Sequence, residues 1–533
     1  MTLTFRHLVA AFTTAVLVTS LAPAAPTRAD EPVETQALEL TATVDGSRDF
    51  PLSMPASHVA VHWPGAPDAR LTVAFSTDGA TFGADEPVEI DEVGAGRGDG
   101  RTYGALMLAD GADAVRVTSD RPLAGVELLV LDTRRDEAGA WGLGATAAAT
   151  VVQPNVIPRA AWGADESLRF DPETGEEEWP REYFPVQRLV VHHTVMGEDD
   201  TDPAASVRAI YYYHAITQDW GDIGYNFLVD SAGRVYEGRY SREYAPDAVR
   251  AGDDGRGHGV MAAHARTYNA GTLGIALIGD FDDRAPTTAA RDALVRMLTW
   301  ASIRYGLNPH GYGTYVNPVT GLTIDSSTIA GHRDYNPTAC PGLRLYSMLG
   351  DIRNRVASQM VAQTFSDVAG SPFIGDIAWL YSQTISNGCA PGRFCPGSTV
   401  SRQEMASFLA RALRLPPGTR DYFWDDNGSP HEADINAVAE AKISLGCALD
   451  GLTYCPGGAV TRGEMASFLA RGLKLAPAPT DRFTDDEDSL HEDAINRIAQ
   501  AGITVGCDGS LYCPNSPTMR DQMAAFLRRG LTR

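Results

Sequence analysis

Two imidazoles and a thiolate are the side chains in this sequence best suited to chemistry. Val191-His192-His193-Thr194 lies far upstream, and Gly331-His332-Arg333-Asp334 is followed, eight positions beyond His332, by Cys340. Three protein ligands is the number a hydrolytic zinc site uses when its fourth position stays open for water. A zinc finger wants two close pairs of ligands; here the first ligand is remote from the other two, the habit of a catalytic metal inside a folded domain. Six of the seven cysteines fall into three short-range pairs, Cys389 with Cys395, Cys447 with Cys455 and Cys507 with Cys513, and Cys340 alone has no mate. In an exported chain each pair is expected to close a local disulfide, since two thiols without a histidine at fixed spacing fall short of a four-ligand metal site.

These ligands need elements to carry them. Arg188 to Val191 reads as a short apolar strand running into the histidine pair, and Thr272 to Ile278 as a second buried strand. Adjacent side chains on a strand point to opposite faces, so only one of His192 and His193 is expected to reach the metal. Tyr225 to Val229 and Arg234 to Tyr236 flank Asp230-Ser231-Ala232-Gly233, a hairpin turn. A helix is predicted from about Thr288 to Tyr305, with Leu294, Met297, Leu298, Ala301 and Tyr305 on one face and Gly306 ending it. Pro337 and Pro341 make the His332–Cys340 segment a loop. Residues 151–360 are therefore expected to form a mixed α/β domain with the ligands at strand ends and in loops.

At 533 residues the chain is too long for one core. Arg6 and His7, the apolar run Leu8 to Leu21 and the small residues of Ala22-Pro23-Ala24 or Thr27-Arg28-Ala29 read as a secretory signal over 1–29. The apolar run is too short to span a membrane, and nothing later is long enough, so the mature chain is expected to be soluble and extracytoplasmic. Residues 30–150 carry short β-rich runs such as Leu38 to Val44, His58 to Trp63 and Gly125 to Leu131, separated by Gly, Asp and Pro; a small antiparallel sandwich, accessory or spacer in role, is expected. A formal charge of −24 argues against a nucleic-acid partner and demands local basic groups for any anionic wall polymer. The last third repeats itself three times, over 363–420, 421–480 and 481–533. Phe365, Phe423 and Phe483 recur in register, as do the cysteines and Arg402, Arg462 and Arg520. Each copy predicts two helices, the second with a buried Met-Phe-Leu-Leu stripe such as Met405, Phe408, Leu409 and Leu413.

Several motifs together resemble the peptidoglycan recognition protein and type-2 N-acetylmuramoyl-L-alanine amidase family over about 155–350. They are Pro158 to Gly163, Val191 to Thr194, Asp222 to Phe227, Gly233 to Arg239, His264 with Asn269, Gly274 to Asp280 and Gly331 to Gly342. The resemblance implies Zn2+ held by His192, His332 and Cys340, choosing the first histidine of the pair, with the Tyr225 phenol aimed at the reacting carbonyl. It implies glycopeptide contacts at His264 and Asn269, and gives His214 a family counterpart that packing also explains; His193, the other histidine of the pair, is a candidate for substrate binding, for support of the metal site or for simple packing. Where some relatives place a lysine two residues before the cysteine, this chain has Thr338, which can donate a hydrogen bond but brings no charge. Ser401-Arg402-Gln403-Glu404 and Thr461-Arg462-Gly463-Glu464 resemble the Thr-Arg-Ala-Glu signature of the S-layer homology domain, and Met519-Arg520-Asp521-Gln522 departs by losing the glutamate. That resemblance implies a secondary wall polymer met by Arg402, Arg462 and Arg520.

The expectation is a secreted, cell-surface zinc amidase that cuts between N-acetylmuramic acid and L-alanine in peptidoglycan. Its architecture is multidomain: a β-sandwich-like domain, the α/β amidase domain, and three mainly helical repeats. The alternative is a catalytically silent wall-binding protein. Retention of Cys340 and Tyr225 favours the enzyme.

Overall fold

A computed structural model describes residues 32–65, 67–91, 99–134, 153–196, 200–244, 252–448 and 451–532. The expected signal segment, 1–29, lies outside the described residues. Among the described residues no helix is long and apolar enough to cross a membrane.

The β-rich region forms one antiparallel sheet of seven strands, built around Ser47–Pro64, Met107–Ser119 and Leu123–Asp132. The expected sandwich of two sheets is thus a single hydrogen-bonded sheet. Irregularities between Pro51 and His58 bend its longest strand, letting the same sheet cover its own core. Alternation then sorts side chains by face. Val59, Val61 and Trp63 enter that core, while Ala60 of the same strand, with Leu129 and Leu131, packs into the next domain.

The second domain is three-layered. Its six-stranded mixed sheet runs in the order Ile329–Gly331, Arg188–His193, Thr272–Leu277, Phe227–Val229, Val235–Glu237, Val156–Ile157. Arg188–His193 pairs in parallel with both neighbours, which places His192 opposite Ala276. Leu189, Val191, Phe227, Val229 and Ile275 pack on the helices Thr288–Arg304 and Leu349–Thr364. The alternate residues Leu228 and Ala276 meet the helix Pro203–Tyr212, which also touches the β-rich sheet. The helix predicted to start at Thr288 does so because Thr287 caps it, its hydroxyl accepting the N–H of Ala290 at 3.1 Å.

Each repeat contributes two helices: Ile374–Ser382 with Arg402–Ala412, Glu432–Glu440 with Arg462–Gly472, and Glu492–Gln500 with Arg520–Leu531. All three copies share one apolar core, to which Met405, Met465 and Met523 belong. The three expected disulfides are present. The arginines expected at a polymer-binding surface lie inside instead, 4, 7 and 2% exposed for Arg402, Arg462 and Arg520. Each donates from Nε to a carbonyl of the next copy, at Tyr454, Tyr512 and, closing the circle, Phe394. Arg402 also pairs with Glu464 and Arg520 with Glu404; copy three has Gln522 at that place, and Nη2 of Arg462 has no hydrogen-bond partner among the described residues. These side chains tie copy to copy, because a buried guanidinium must spend its donors on whatever acceptors the fold offers.

Candidate metal centre

His192 leaves the end of its strand on the face opposite Leu189 and Val191, as the alternation requires. His332 opens the short turn that follows Ile329–Gly331 in the adjacent strand, and Arg333 ties the downstream loop back by donating its N–H to the Cys340 carbonyl at 3.0 Å. The ligand atoms of His192, His332 and Cys340 consequently all lie within 4.8 Å of one another. All three residues are buried, and Cys340 is the cysteine outside the disulfides among the described residues. Nδ1 of His192 faces the Cys340 sulfur at 3.6 Å.

The other ring nitrogens are occupied. His192 Nε2 lies 3.0 Å from His264 Nδ1, and His264 Nε2 lies 3.1 Å from the Thr272 hydroxyl, which donates onward to the Tyr268 carbonyl. His332 Nε2 lies 3.1 Å from the side-chain oxygen of Asn336. Such outer partners fix ring orientation and tautomer. Burial holds His192 well below the usual imidazole range and lowers His332 to about 4 and His264 to about 3. Neutral imidazoles are the ligating form, so two nitrogens and a sulfur in this arrangement suit zinc.

The remaining expected residues divide. Tyr225 stands beside the centre, its ring 5.4 Å from that of His192. Its loop is fixed from behind: His214 Nδ1 accepts the Gly224 N–H at 3.0 Å, and buried Asp222 accepts from Arg159 at 3.0 Å and Arg239 at 2.8 Å. Burial, with Cys340 and Asp91 adding to it, pushes the Tyr225 phenol well above its usual range. Thr338 faces the cleft and accepts the Cys340 N–H at 3.0 Å, leaving its own proton free to donate. His193 also lines the cleft. His264 and Asn269, expected to touch glycopeptide, do not reach it. His264 is fully buried behind His192, over Gly274, where any Cβ would come within 2.4 Å of its ring, and Asn269 accepts the N–H groups of His264 and Ala265. They stand behind a candidate ligand, His192. Sequence reasoning overlooked Asn336; a carboxamide four residues after a ligand histidine, in one turn, was the available signal.

Residues 182–343 match the family described as N-acetylmuramoyl-L-alanine amidase, and 364–406 match the S-layer homology domain. This chain carries a domain of the type-2 amidase and peptidoglycan recognition family. Among relatives, the N-acetylmuramoyl-L-alanine amidase of Sus scrofa is 33% identical over 200 residues, which are 37% of this chain and 27% of that protein. The peptidoglycan-recognition protein SC2 of Drosophila simulans is 29% identical over 160 residues, 30% of this chain and 69% of that one. The match thus spans little more than a quarter of the pig and human amidases. Among solved structures, wild-type Drosophila PGRP-LB is 25% identical, with 37% of this chain and 92% of that chain covered at a TM-score of 0.26.

The amidase domain does not build its cleft alone. A half-open cavity of about 120 Å³ lies against His332, Cys340, Tyr225 and Thr338, and is lined as well by Glu89, Ile90, Asp91, Ala105 and Leu106 from the connections of the β-rich domain. Tyr213 donates to the Gly104 carbonyl at 3.0 Å and Gln218 to Asp91 at 3.0 Å, which pins those connections in place. The region expected to be a spacer is therefore part of the cleft. No local sequence signal pointed to it, since the contact joins segments about a hundred residues apart.

Proposed function

We propose that this protein is a secreted, zinc-dependent N-acetylmuramoyl-L-alanine amidase that hydrolyses the amide between the lactyl group of N-acetylmuramic acid and L-alanine, held at the cell wall by its repeats. The observation that carries this reading is the convergence of His192, His332 and Cys340 at a cleft flanked by Tyr225. An amide is a poor electrophile, and zinc, when bound, supplies Lewis acidity and lowers the pKa of water at neutral pH.

The chain's own residues do the rest. Tyr225 stays protonated and donates its phenolic hydrogen to the oxygen that becomes negative as the carbonyl is attacked. Thr338 offers a second hydroxyl donor on the facing loop. Asp222 and His214 hold the Tyr225 loop so that little reorganisation is needed in the transition state. The β-rich wall narrows the cleft and limits the water that reaches the scissile bond.

The test is mass spectrometry of purified peptidoglycan after incubation with the protein, beside a Cys340→Ala control. Stem peptides with a free L-alanine amine should accumulate with the wild type alone. If they never appear, or appear equally with the variant, the protein is a binder and the enzymatic reading fails.

A further inference from the structure

Two carboxylates in the repeats are buried with nothing to hold them. Asp426 is 1% exposed and Asp486 0%, and both oxygens of each lack a hydrogen-bond partner among the described residues. A buried, unpaired carboxylate costs several kcal/mol, so each needs a physical explanation. The charged groups that bear on them are acidic: Asp421, Glu432 and Asp425 around Asp426, and Asp481, Glu492 and Asp485 around Asp486. Burial, and then these like charges, pushes each carboxyl up to about 6.

The first repeat provides an internal comparison. Aligned on Phe365, Phe423 and Phe483, the positions of Asp421, Asp426 and Glu432 hold Asp481, Asp486 and Glu492 in copy three, but Gln363, Val368 and Ile374 in copy one. Three acids are kept together in two copies and replaced together in the third. Val368 is fully buried and joins the shared core, so the fold accepts an apolar side chain there and does not itself require a carboxylate. Asp367, Asp425 and Asp485 behave differently: they are present in every copy, and each accepts backbone N–H groups, such as those of Tyr454 and Cys455 at 2.7 and 2.8 Å. The invariant acid is structural. The three that change as a set share a different purpose.

We propose that the loops from Asp421 to Glu432 and from Asp481 to Glu492 each bind one calcium ion, with Asp426 and Asp486 as the innermost ligands. The acidic donors are oxygen only, which selects a hard divalent cation over zinc or copper. Each loop is irregular and bends into a helix, a setting that suits the variable coordination of calcium better than the strict octahedron of magnesium. Glu432 already bends back to accept the Gly428 N–H at 2.9 Å, closing its loop. Among the described residues only the His192, His332 and Cys340 set has every ligand atom within 4.8 Å of the others, so calcium binding here requires the loop carboxylates to draw inward.

The test uses the full-length chain with its zinc centre loaded, freed of other cations and equilibrated with radioactive calcium. Two ions should bind per chain with dissociation constants of about 0.1–1 mM, the range of extracellular modules. Asp426→Val and Asp486→Val, which copy the first repeat, should each remove one ion, and the double variant both, with zinc content unchanged; Asp426→Asn serves if valine impairs folding. No binding at millimolar calcium, a stoichiometry untouched by these variants, equal affinity for magnesium, or loss of the calcium in Cys340→Ala would each overturn the proposal.

Discussion

Replacing His264 with leucine should loosen the metal centre without touching a ligand. A metal held at the Nδ1 of His192 that faces Cys340 would leave the ring proton on Nε2, and the acceptor waiting for it is His264 Nδ1 at 3.0 Å. Leucine fills a comparable volume and accepts nothing. The loaded protein then carries a buried N–H without a partner, at about 1–3 kcal/mol. At about 1.4 kcal/mol per factor of ten, zinc affinity falls roughly 5- to 150-fold, in line with the 10–100-fold typical of lost outer partners. Competition against a chromophoric chelator at neutral pH measures it directly. His264→Asn, whose amide oxygen stands near the lost acceptor, should recover part of the affinity. Unchanged zinc affinity in the leucine variant would refute the supporting role and leave His264 as a packing residue over Gly274.

Tyr225→Phe should keep its zinc and lose about 10²–10³ in kcat, the usual effect of removing one oxyanion donor; an equal loss of bound zinc would instead mean that the ring holds the centre together. Asp222→Ala leaves the guanidinium groups of Arg159 and Arg239 buried without their shared carboxylate, so the amidase domain should lose about 3–5 kcal/mol, read by hydrogen exchange at the Tyr225 loop. Without calcium, pH should act on the second and third repeats. Asp426 and Asp486 have pKa values raised to about 6 in the fold, so the stability they confer is complete below the unfolded value of 3.8 and is lost as pH rises through 6. Calcium at millimolar concentration should abolish that loss, and thermal melts across this pH range with and without the ion check it.

Much of the site was legible because its signals are local. A strand running into His192 and His193, a Gly-His turn and a Cys340 outside the three cysteine pairs carry their meaning in a few residues each, and alternation along one strand was enough to say that only one of the two histidines faces the centre, the family resemblance naming which. The helix from Thr288 showed its apolar stripe and its terminating Gly306, and the repeats declared themselves by recurrence. What stayed hidden depends on contacts between distant segments. His264 sits behind a ligand only because Gly274 of the neighbouring strand leaves room for its ring. Arg402 reads as a surface cation until Tyr454 and Glu464 of the next copy are brought to it. The cleft wall at Leu106 and Asp91 exists only once the β-rich sheet has docked on the helix Pro203–Tyr212.

The helix Leu349–Thr364 gives Ile352 and Val356 to the amidase core and Ala357 and Val361 to the core of the repeats. No flexible leash separates blade from anchor. An enzyme tethered by a loose chain can sweep a sphere of substrate around its attachment point; one mounted on a continuous rod can cut only the bonds that its mounting presents. If the repeats grip the wall, the orientation of that grip selects which glycan strands fall within reach, and turnover on an intact wall becomes a question of how the anchor lands.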